Sequence, residues 1–99
     1  MSTSTGFRLE AVAPSTVAVH GVLDFDTAAA ALAAMRAALQ GQVAELDLAG
    51  VSHSDSAGLA CVLAAVAEAS GRGRPLRVVG MPAGMQALAR VCEVDTLLA

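Results

Sequence analysis

The spacing of the apolar residues changes several times along the chain, and this alternation limits the fold more than any other feature. Residues 7–13 alternate weakly with a period of two, which is typical of a strand with one buried face. Pro14-Ser15 then turns the chain, and the β-rich run 16–23 is predicted to pair back as a hairpin. From residue 24 onward, helical stripes alternate with short apolar runs, which gives the order β-β-α-β-α-β-α. Strands separated by helices favour parallel pairing through right-handed crossovers, so we expect an α/β (α+β) domain whose mixed sheet is backed by helices.

Capping side chains, glycines and prolines set the limits of the later segments. Residues 24–27 offer side chains that cap a helix, and Gly41 ends that helix. The third helix is predicted to begin at Pro82, with Met81 just outside it in the position of a hydrophobic staple. In chain order we therefore predict an Ala-rich helix to about Gln40, a central strand Val43–Leu48, a polar loop at 49–56, a helix from about Ser56 to Ser70, a turn at 71–75, a strand Leu76–Val79, the third helix and an apolar tail Val94–Leu98.

Length and composition indicate one domain, residues 1–99, and exclude several classes of protein. Hydrophobic residues make up 56% of the chain and its formal charge is only −3, so we do not expect disorder. All six basic residues are arginine, and Trp and Tyr are absent, which argues against a nucleic-acid partner. The longest apolar stretch, residues 57–67, is 11 residues long, whereas a spanning helix needs about 20, so no direct membrane insertion is expected. Residues 1–8 show no secretory signal, and we expect a cytoplasmic protein.

The two cysteines, Cys61 and Cys92, lie 31 positions apart and show no CxxC or His-paired spacing. A disulfide or a metal site is one interpretation of such a pair, and two small buried apolar side chains are the other. Each cysteine falls within an apolar helical stripe, which favours burial. We therefore expect both thiols to be reduced and slow to react.

The sequence offers little for catalysis. His20 falls in a predicted strand and His53 in a predicted loop, and neither has a nucleophile, acid or base at a recognisable spacing. We expect His20 to be a partly buried strand residue, and His53 to be either a polar loop residue or a partner contact. The Gly-rich segment 71–74 lacks the Lys-Ser/Thr pair of a phosphate-binding loop, and the carboxylates form no metal-binding pattern. We predict no enzyme activity, no catalytic residue, no metal site and no cofactor.

Polar side chains concentrate at one place, Ser54-Asp55-Ser56, which is followed by Ala57-Gly58-Leu59. This segment lies between a strand and an apolar helix, so it occupies a helix N-terminus, where free backbone N–H groups favour negative charge. A hydroxyl here can cap the helix, accept a phosphoryl group or donate to a docking partner. Gly58 allows another backbone to approach closely. The simpler alternative is that the three polar residues only cap the helix.

The same residues resemble the signature of the STAS domain family, the module shared by anti-sigma-factor antagonists and the cytoplasmic tails of sulfate transporters. The strand Val43–Leu48 followed by residues 51–59 is similar to the family pattern of an apolar strand, a loop and Asp-Ser/Thr-x-Gly-Leu. Residues 21–24 (Gly-Val-Leu-Asp) with Thr27-Ala28 resemble an upstream family element, although many antagonists carry Glu where this chain has valine. The resemblance covers nearly the whole chain. It implies a mixed sheet of four to five strands with about three to four helices mainly on one side, and Ser56 matches the residue that is phosphorylated in the antagonists.

Two branches of the family stay open. The MlaB branch is the STAS subunit of an ABC transporter that moves phospholipid between the membranes of Gram-negative bacteria. It implies docking on the ATPase subunit, and through it on the permease complex, at the inner face of the inner membrane, in support of outer-membrane lipid asymmetry. The alternative is an anti-sigma-factor antagonist, whose partner is an anti-sigma serine kinase and which phosphorylation of Ser56 regulates. The segments that are more similar to MlaB are Asp55–Leu59, Gly73–Arg77, Met81-Pro82, Ala87–Arg90 and Val94–Leu98.

The mechanism that the resemblance implies is docking without catalysis. Ser56 and Asp55 would form the polar centre of the contact, and the small side chains of Ala60 and Ala64 would allow a partner to approach closely. Asp24, in the preceding loop, would lie beside them. The other candidate site residues are Ser54, Gly58 and His53.

Overall fold

The computed structural model describes residues 6–98, and within them the elements follow the predicted order. The last described segment is a short 3₁₀ helix, Asp95–Leu98, where an apolar tail was predicted. The expectation that residues 1–8 carry no secretory signal falls partly on residues 1–5, which lie outside the described residues. The strands are β1 (Phe7–Ala13), β2 (Thr16–Leu23), β3 (Glu45–Ser54) and β4 (Arg77–Val79), and the α-helices are α1 (Ala28–Ala38), α2 (Ser56–Gly71) and α3 (Ala83–Val91).

The described strands form one mixed sheet in the order β1-β2-β3-β4. β1 and β2 form the predicted antiparallel hairpin, in which Leu9 lies opposite Val19. β2, β3 and β4 run parallel, because α1 and α2 return the chain between them, and Leu46 lies between Val17 and Val78. The predicted α/β class is therefore confirmed, with four strands and three α-helices among residues 6–98.

One face of the sheet carries the core. Successive side chains of a strand point to opposite faces. Alternate positions of β2 and of the first half of β3 carry buried valine or leucine, with Gly21 interrupting the pattern in β2. Each α-helix contributes to the same cluster, α1 through Met35, α2 through Val62 and α3 through Met85. The helices therefore pack on one face, as the family resemblance implied. The strand residues of this core that are at most 3% exposed are Val17, Val19, Leu23, Leu46 and Leu48.

The other face of the sheet is polar. His20 Nε2 lies 3.1 Å from Glu10 Oε1, and Arg77 Nη2 lies 2.7 Å from Glu45 Oε2. These pairs are open to solvent and contribute little to stability. His20 is half-buried, as predicted, because its ring lies against Gly50, where a Cβ atom would be 2.2 Å from His20 Nδ1.

The predicted polar loop at 49–56 is wrong over residues 49–54, because β3 continues to Ser54. The carboxyl half of β3 pairs with β2, so that Gly21 lies beside Val51 and Leu23 beside Ser54. Two irregularities shift the register of this pairing, and the polar side chains of β3 here face solvent while Val51 stays buried. The polar pattern resembled a loop because the hydrogen bonds that make it a strand come from a distant segment.

The longest helix of the described residues, α2, has 16 residues, and its predicted stripe meets the core. Leu59 and Val62 are buried, and Leu63 and Val66 are partly buried against the same cluster. No helix among residues 6–98 is long and apolar enough to cross a membrane.

The two cysteines differ in exposure. Cys61 is buried in α2, as predicted, but the predicted burial of Cys92 is wrong, because Cys92 is exposed. α3 ends at Val91, so Cys92 is the C-cap residue and lies beyond the helix. Ala89 is the last buried residue of α3, although the predicted stripe continued to Cys92.

We expect the two thiols to react at different rates in the folded protein. Burial raises the pKa of the Cys61 thiol to about 11, which leaves almost no thiolate at neutral pH. Cys92 is expected to label quickly with a maleimide, and Cys61 only after unfolding. Mass spectrometry of wild type and of Cys92→Ser during labelling checks this, and fast labelling of the Cys92→Ser variant would contradict it.

Candidate functional site

The carboxyl ends of β2 and β3 meet the N-termini of α1 and α2 at one end of the domain. This follows from the parallel crossovers, and it is the place where open α/β sheets bind their ligands. The carbonyl oxygen of Leu23, at the end of β2, accepts a hydrogen bond of 3.3 Å from the backbone N–H of Asp55. Residues 24–29 and 53–60 are therefore held together, and we call them the helix-start surface.

Asp55 is the residue that ties this surface together. It is the N-cap of α2, and its Oδ1 accepts hydrogen bonds from the backbone N–H groups of Ala57 at 2.9 Å and Gly58 at 3.1 Å. Its Oδ2 accepts a third bond, of 3.1 Å, from the backbone N–H of Phe25. These bonds, led by the one from Gly58 and assisted by nearby His53, lower the pKa of the Asp55 carboxyl. One carboxylate thus caps a helix and fixes the neighbouring loop.

The charge of Asp55 is expected to make stability depend on acid. Because its folded-state pKa lies below the unfolded value, the stabilisation is present above about pH 4 and is lost as the pH falls through the folded pKa. Asn caps a helix well but carries no charge, so Asp55→Asn is expected to melt below wild type at pH 7 and to approach it towards pH 2. Thermal melts at several pH values check this, with Asp26→Asn as the control for lost charge. A gap in melting temperature that does not change with pH would contradict it.

Ser56 is the first residue of α2, and it is exposed. Since Asp55 supplies the cap, the Ser56 hydroxyl is not needed for it, and it makes no hydrogen bond within residues 6–98. Ser54 is half-buried at the end of β3, and its hydroxyl likewise makes no hydrogen bond to the described residues. His53 is exposed beside Asp55. The capping alternative therefore applies to Asp55, and it leaves the Ser56 hydroxyl available to a partner or a phosphoryl group.

Gly58 lies beneath this surface, where α2 passes close to β2. A Cβ atom at Gly58 would be 2.0 Å from the carbonyl oxygen of Leu23, so no other residue fits without movement of the backbone. The close approach that the sequence predicted is made by the chain's own strand.

Asp24 closes the turn between β2 and α1. Its Oδ1 accepts hydrogen bonds from the backbone N–H groups of Asp26 at 3.0 Å and Thr27 at 3.1 Å. The Thr27 hydroxyl donates to the carbonyl of Val22 at 2.9 Å and accepts from the backbone N–H of Asp24, also at 2.9 Å. Asp24 thus lies in the loop beside Asp55, as expected, and its carboxylate orders the loop that carries Phe25.

Two features of the surface were missed by the sequence reasoning. Phe25 is 82% exposed, although it is one of only two aromatic residues in the chain. Its position between two aspartates, outside any apolar stripe, was the available signal. The second feature is an open groove of about 270 Å³ between α1 and α2, in which Ala60 provides part of the wall. The groove is lined by Ala28, Ala29, Leu32, Ala57, Ala60 and Cys61.

Within residues 6–98, no group of three or more His, Cys, Asp or Glu side chains could hold a metal ion. The helix-start surface combines a free hydroxyl, an exposed aromatic side chain on a held backbone and a groove lined largely by alanine. Such a mixture of a small apolar centre and polar edges is typical of protein–protein contacts.

Comparison with known proteins gives one family model and two similar solved structures. A family model described as "Mlab, STAS domain" matches residues 8–99. The anti-sigma factor antagonist SpoIIAA in its unphosphorylated form is similar in structure, with 25% identity and a TM-score of 0.63 over 85% of this chain and 81% of that one. The phosphorylated form of SpoIIAA, described as a Bacillus cell fate determinant, has 22% identity and a TM-score of 0.67 over 94% of this chain and 88% of that one. No curated protein gives a significant match.

Proposed function

This chain belongs to the STAS domain family, in the group described as Mlab, and from that premise we propose that it is a non-catalytic subunit of an Mla-type phospholipid-transport ABC complex. It docks on the ATPase subunit, and through it on the permease, at the cytoplasmic face of the inner membrane. Its role is to support assembly and activity of the complex, and thereby the lipid asymmetry of the outer membrane. It takes no cofactor.

The observation that carries this proposal is the exposed Ser56 hydroxyl, which forms no hydrogen bond within residues 6–98. It lies at the start of α2 beside the alanine-lined groove. Because Asp55 caps the helix, the Ser56 hydroxyl is not needed as a cap. A hydroxyl in this setting both donates and accepts hydrogen bonds. Small side chains such as Ala60 let a partner come close enough to reach it. These properties support a stable interface with another protein.

In the proposed complex each residue of the surface has its own role. Ser56 exchanges a hydrogen bond with the ATPase, and exposed His53, which lies near Asp55, is a second polar contact. Asp55 and Asp24 act indirectly, because their carboxylates hold the helix start and the loop in position. Gly58 keeps α2 against β2, so that the surface keeps its shape.

The likeness to SpoIIAA favours a second candidate function. That protein is an anti-sigma factor antagonist, and both unphosphorylated and phosphorylated forms of it share this fold. In such a function Ser56 accepts a phosphoryl group from an anti-sigma serine kinase. The exposed hydroxyl at a helix N-terminus, where backbone N–H groups favour an added phosphate, supports this candidate as well.

Binding to purified partners separates the two candidates. The chain is titrated against the Mla-type ATPase subunit of the same genome and, in parallel, against its anti-sigma serine kinases. The proposal expects saturable binding to the ATPase, a changed ATPase rate in the complex with its permease, and no ATP hydrolysis by the chain alone. Binding to a kinase without binding to the ATPase would replace the proposal by the second candidate.

A further inference from the structure

Phe25 is an exposed aromatic side chain on a rigid support. Its backbone N–H is held by Asp55 Oδ2 at 3.1 Å, and the turn around it is closed by the bonds between Asp24 and Thr27. An aromatic ring that is 82% exposed gives the monomer little stability. Because the backbone at Phe25 is held and a phenylalanine side chain has only two torsion angles, covering the ring costs little conformational entropy, which is the property of an interface anchor.

Although the helix-start surface holds His53 beside Asp55, the charged side chains next to Phe25 are carboxylates. Asp24, Asp26 and Asp55 surround it, and the first and last of these accept backbone N–H bonds at the starts of the two helices. The carboxylate of Asp26 is exposed, and it accepts no hydrogen bond and forms no ion pair within residues 6–98. The helix-start surface is therefore acidic, with one charge left uncompensated.

The helix-start surface itself, residues 24–29 and 53–60, contains no arginine. Arg36 is in the last turn of α1, where it pairs with Glu68, and Arg77 begins β4, where it pairs with Glu45. The helices and parallel strands place these groups at the end of the domain opposite Phe25. The others are Arg8 on the polar sheet face, Arg72 and Arg74 after α2, and Arg90 in the last turn of α3.

We propose that Phe25 is the anchor of the docking surface, and that it enters an apolar pocket of the ATPase whose rim carries lysine or arginine side chains facing Asp26. This inference rests on the proposed function and names the contact that it uses. A symmetric pair of copies of this chain is a poorer occupant, because a two-fold contact would bring the same carboxylates of both copies together. Charge complementarity with a basic partner avoids that repulsion.

Two variants and two matched controls test the proposal against the purified ATPase. Phe25→Ala is expected to weaken binding by about 30-fold or more, the size typical of a central aromatic anchor. Asp26→Asn is expected to weaken it by roughly threefold, and less at high salt, as for a rim charge. The controls are Val91→Ala, which truncates an apolar residue that is 79% exposed on α3, and Glu93→Asn. Glu93 has a φ of 59°, a conformation that asparagine tolerates, so this control removes one remote charge without strain.

The outcomes distinguish this inference from the proposed function. If wild type binds the ATPase and only Phe25→Ala and Asp26→Asn lose affinity, the inference holds. If Phe25→Ala binds like wild type, the inference is overturned while the proposed function stands. If wild type does not bind the ATPase, the proposed function fails and the inference fails with it. A self-association of wild type that Phe25→Ala abolishes would assign the surface to a second copy and overturn the inference. Equal melting temperatures of all variants show that the fold is unchanged.

Discussion

Replacing Gly58 by alanine is expected to destabilise the protein by about 3 kcal/mol, although alanine is the better helix former. The added Cβ atom would lie 2.0 Å from the carbonyl oxygen of Leu23 and 2.8 Å from the carbonyl carbon of the same residue. Both distances are well inside a normal non-bonded separation of about 3.5 Å. Leu23 is fully buried at the end of β2, so the strand cannot move aside without disturbing the core. α2 must therefore shift by roughly 1 Å, which strains the Asp55–Leu23 hydrogen bond. The gain of about 1 kcal/mol in helix propensity does not offset this cost.

The matched control for this prediction is Gly84→Ala. Gly84 lies in the first turn of α3 and has no atom within 4 Å of the position of a Cβ, so alanine there is expected to be neutral or to stabilise by up to about 1 kcal/mol. Thermal and urea unfolding measure both variants, and Gly58→Ala is expected to lower the melting temperature by roughly 15 °C. Equal stability of the two variants would show that the approach of α2 to β2 is not tight.

The spacing of apolar residues was sufficient to predict the architecture. The hairpin and the three α-helices depend on local pattern and on turn residues, and the first two strands have the predicted limits. The extent of β3 was missed, because Ser52 and His53 are strand residues only through their pairing with β2. Cys92 was misassigned for a related reason, since periodicity does not show where the last turn of a helix ends.

The candidate site was predicted less completely than the fold. The concentration of polar residues before α2 located the helix start, but spacing alone did not show that Asp55, and not Ser56, supplies the cap. Nor did it show that the second oxygen of Asp55 reaches Phe25, 30 positions earlier in the chain. The exposed ring and the alanine-lined groove arise from how α1 packs beside α2, which a pattern along one segment does not contain.

Substitutions of Ser56 are expected to change docking strongly and stability little. The hydroxyl is exposed and uncommitted within the described residues, and Asp55 retains the cap, so melting temperatures of Ser56→Ala and Ser56→Glu are expected to stay near wild type. For the ATPase complex, Ser56→Ala leaves a buried partner group without its hydrogen bond, a loss of about 1–3 kcal/mol or roughly 5-fold to 150-fold in affinity. Ser56→Glu adds charge and bulk beside Asp55 and is expected to abolish measurable binding.

The pattern of the two variants decides between the transporter subunit and the antagonist. A phosphorylation switch predicts that Ser56→Ala binds the anti-sigma kinase like the unphosphorylated protein, whereas Ser56→Glu releases it. Ser70, exposed near the other end of α2, provides controls for both changes, because Ser70→Ala and Ser70→Glu alter the same helix away from the surface. Affinity titrations against both partners, with mass spectrometry of Ser56 in cells, give the answer. Normal ATPase binding by Ser56→Ala together with phosphate on Ser56 would exclude the transporter role. If neither variant alters binding while both melt lower, Ser56 stabilises the helix start and takes no part in docking.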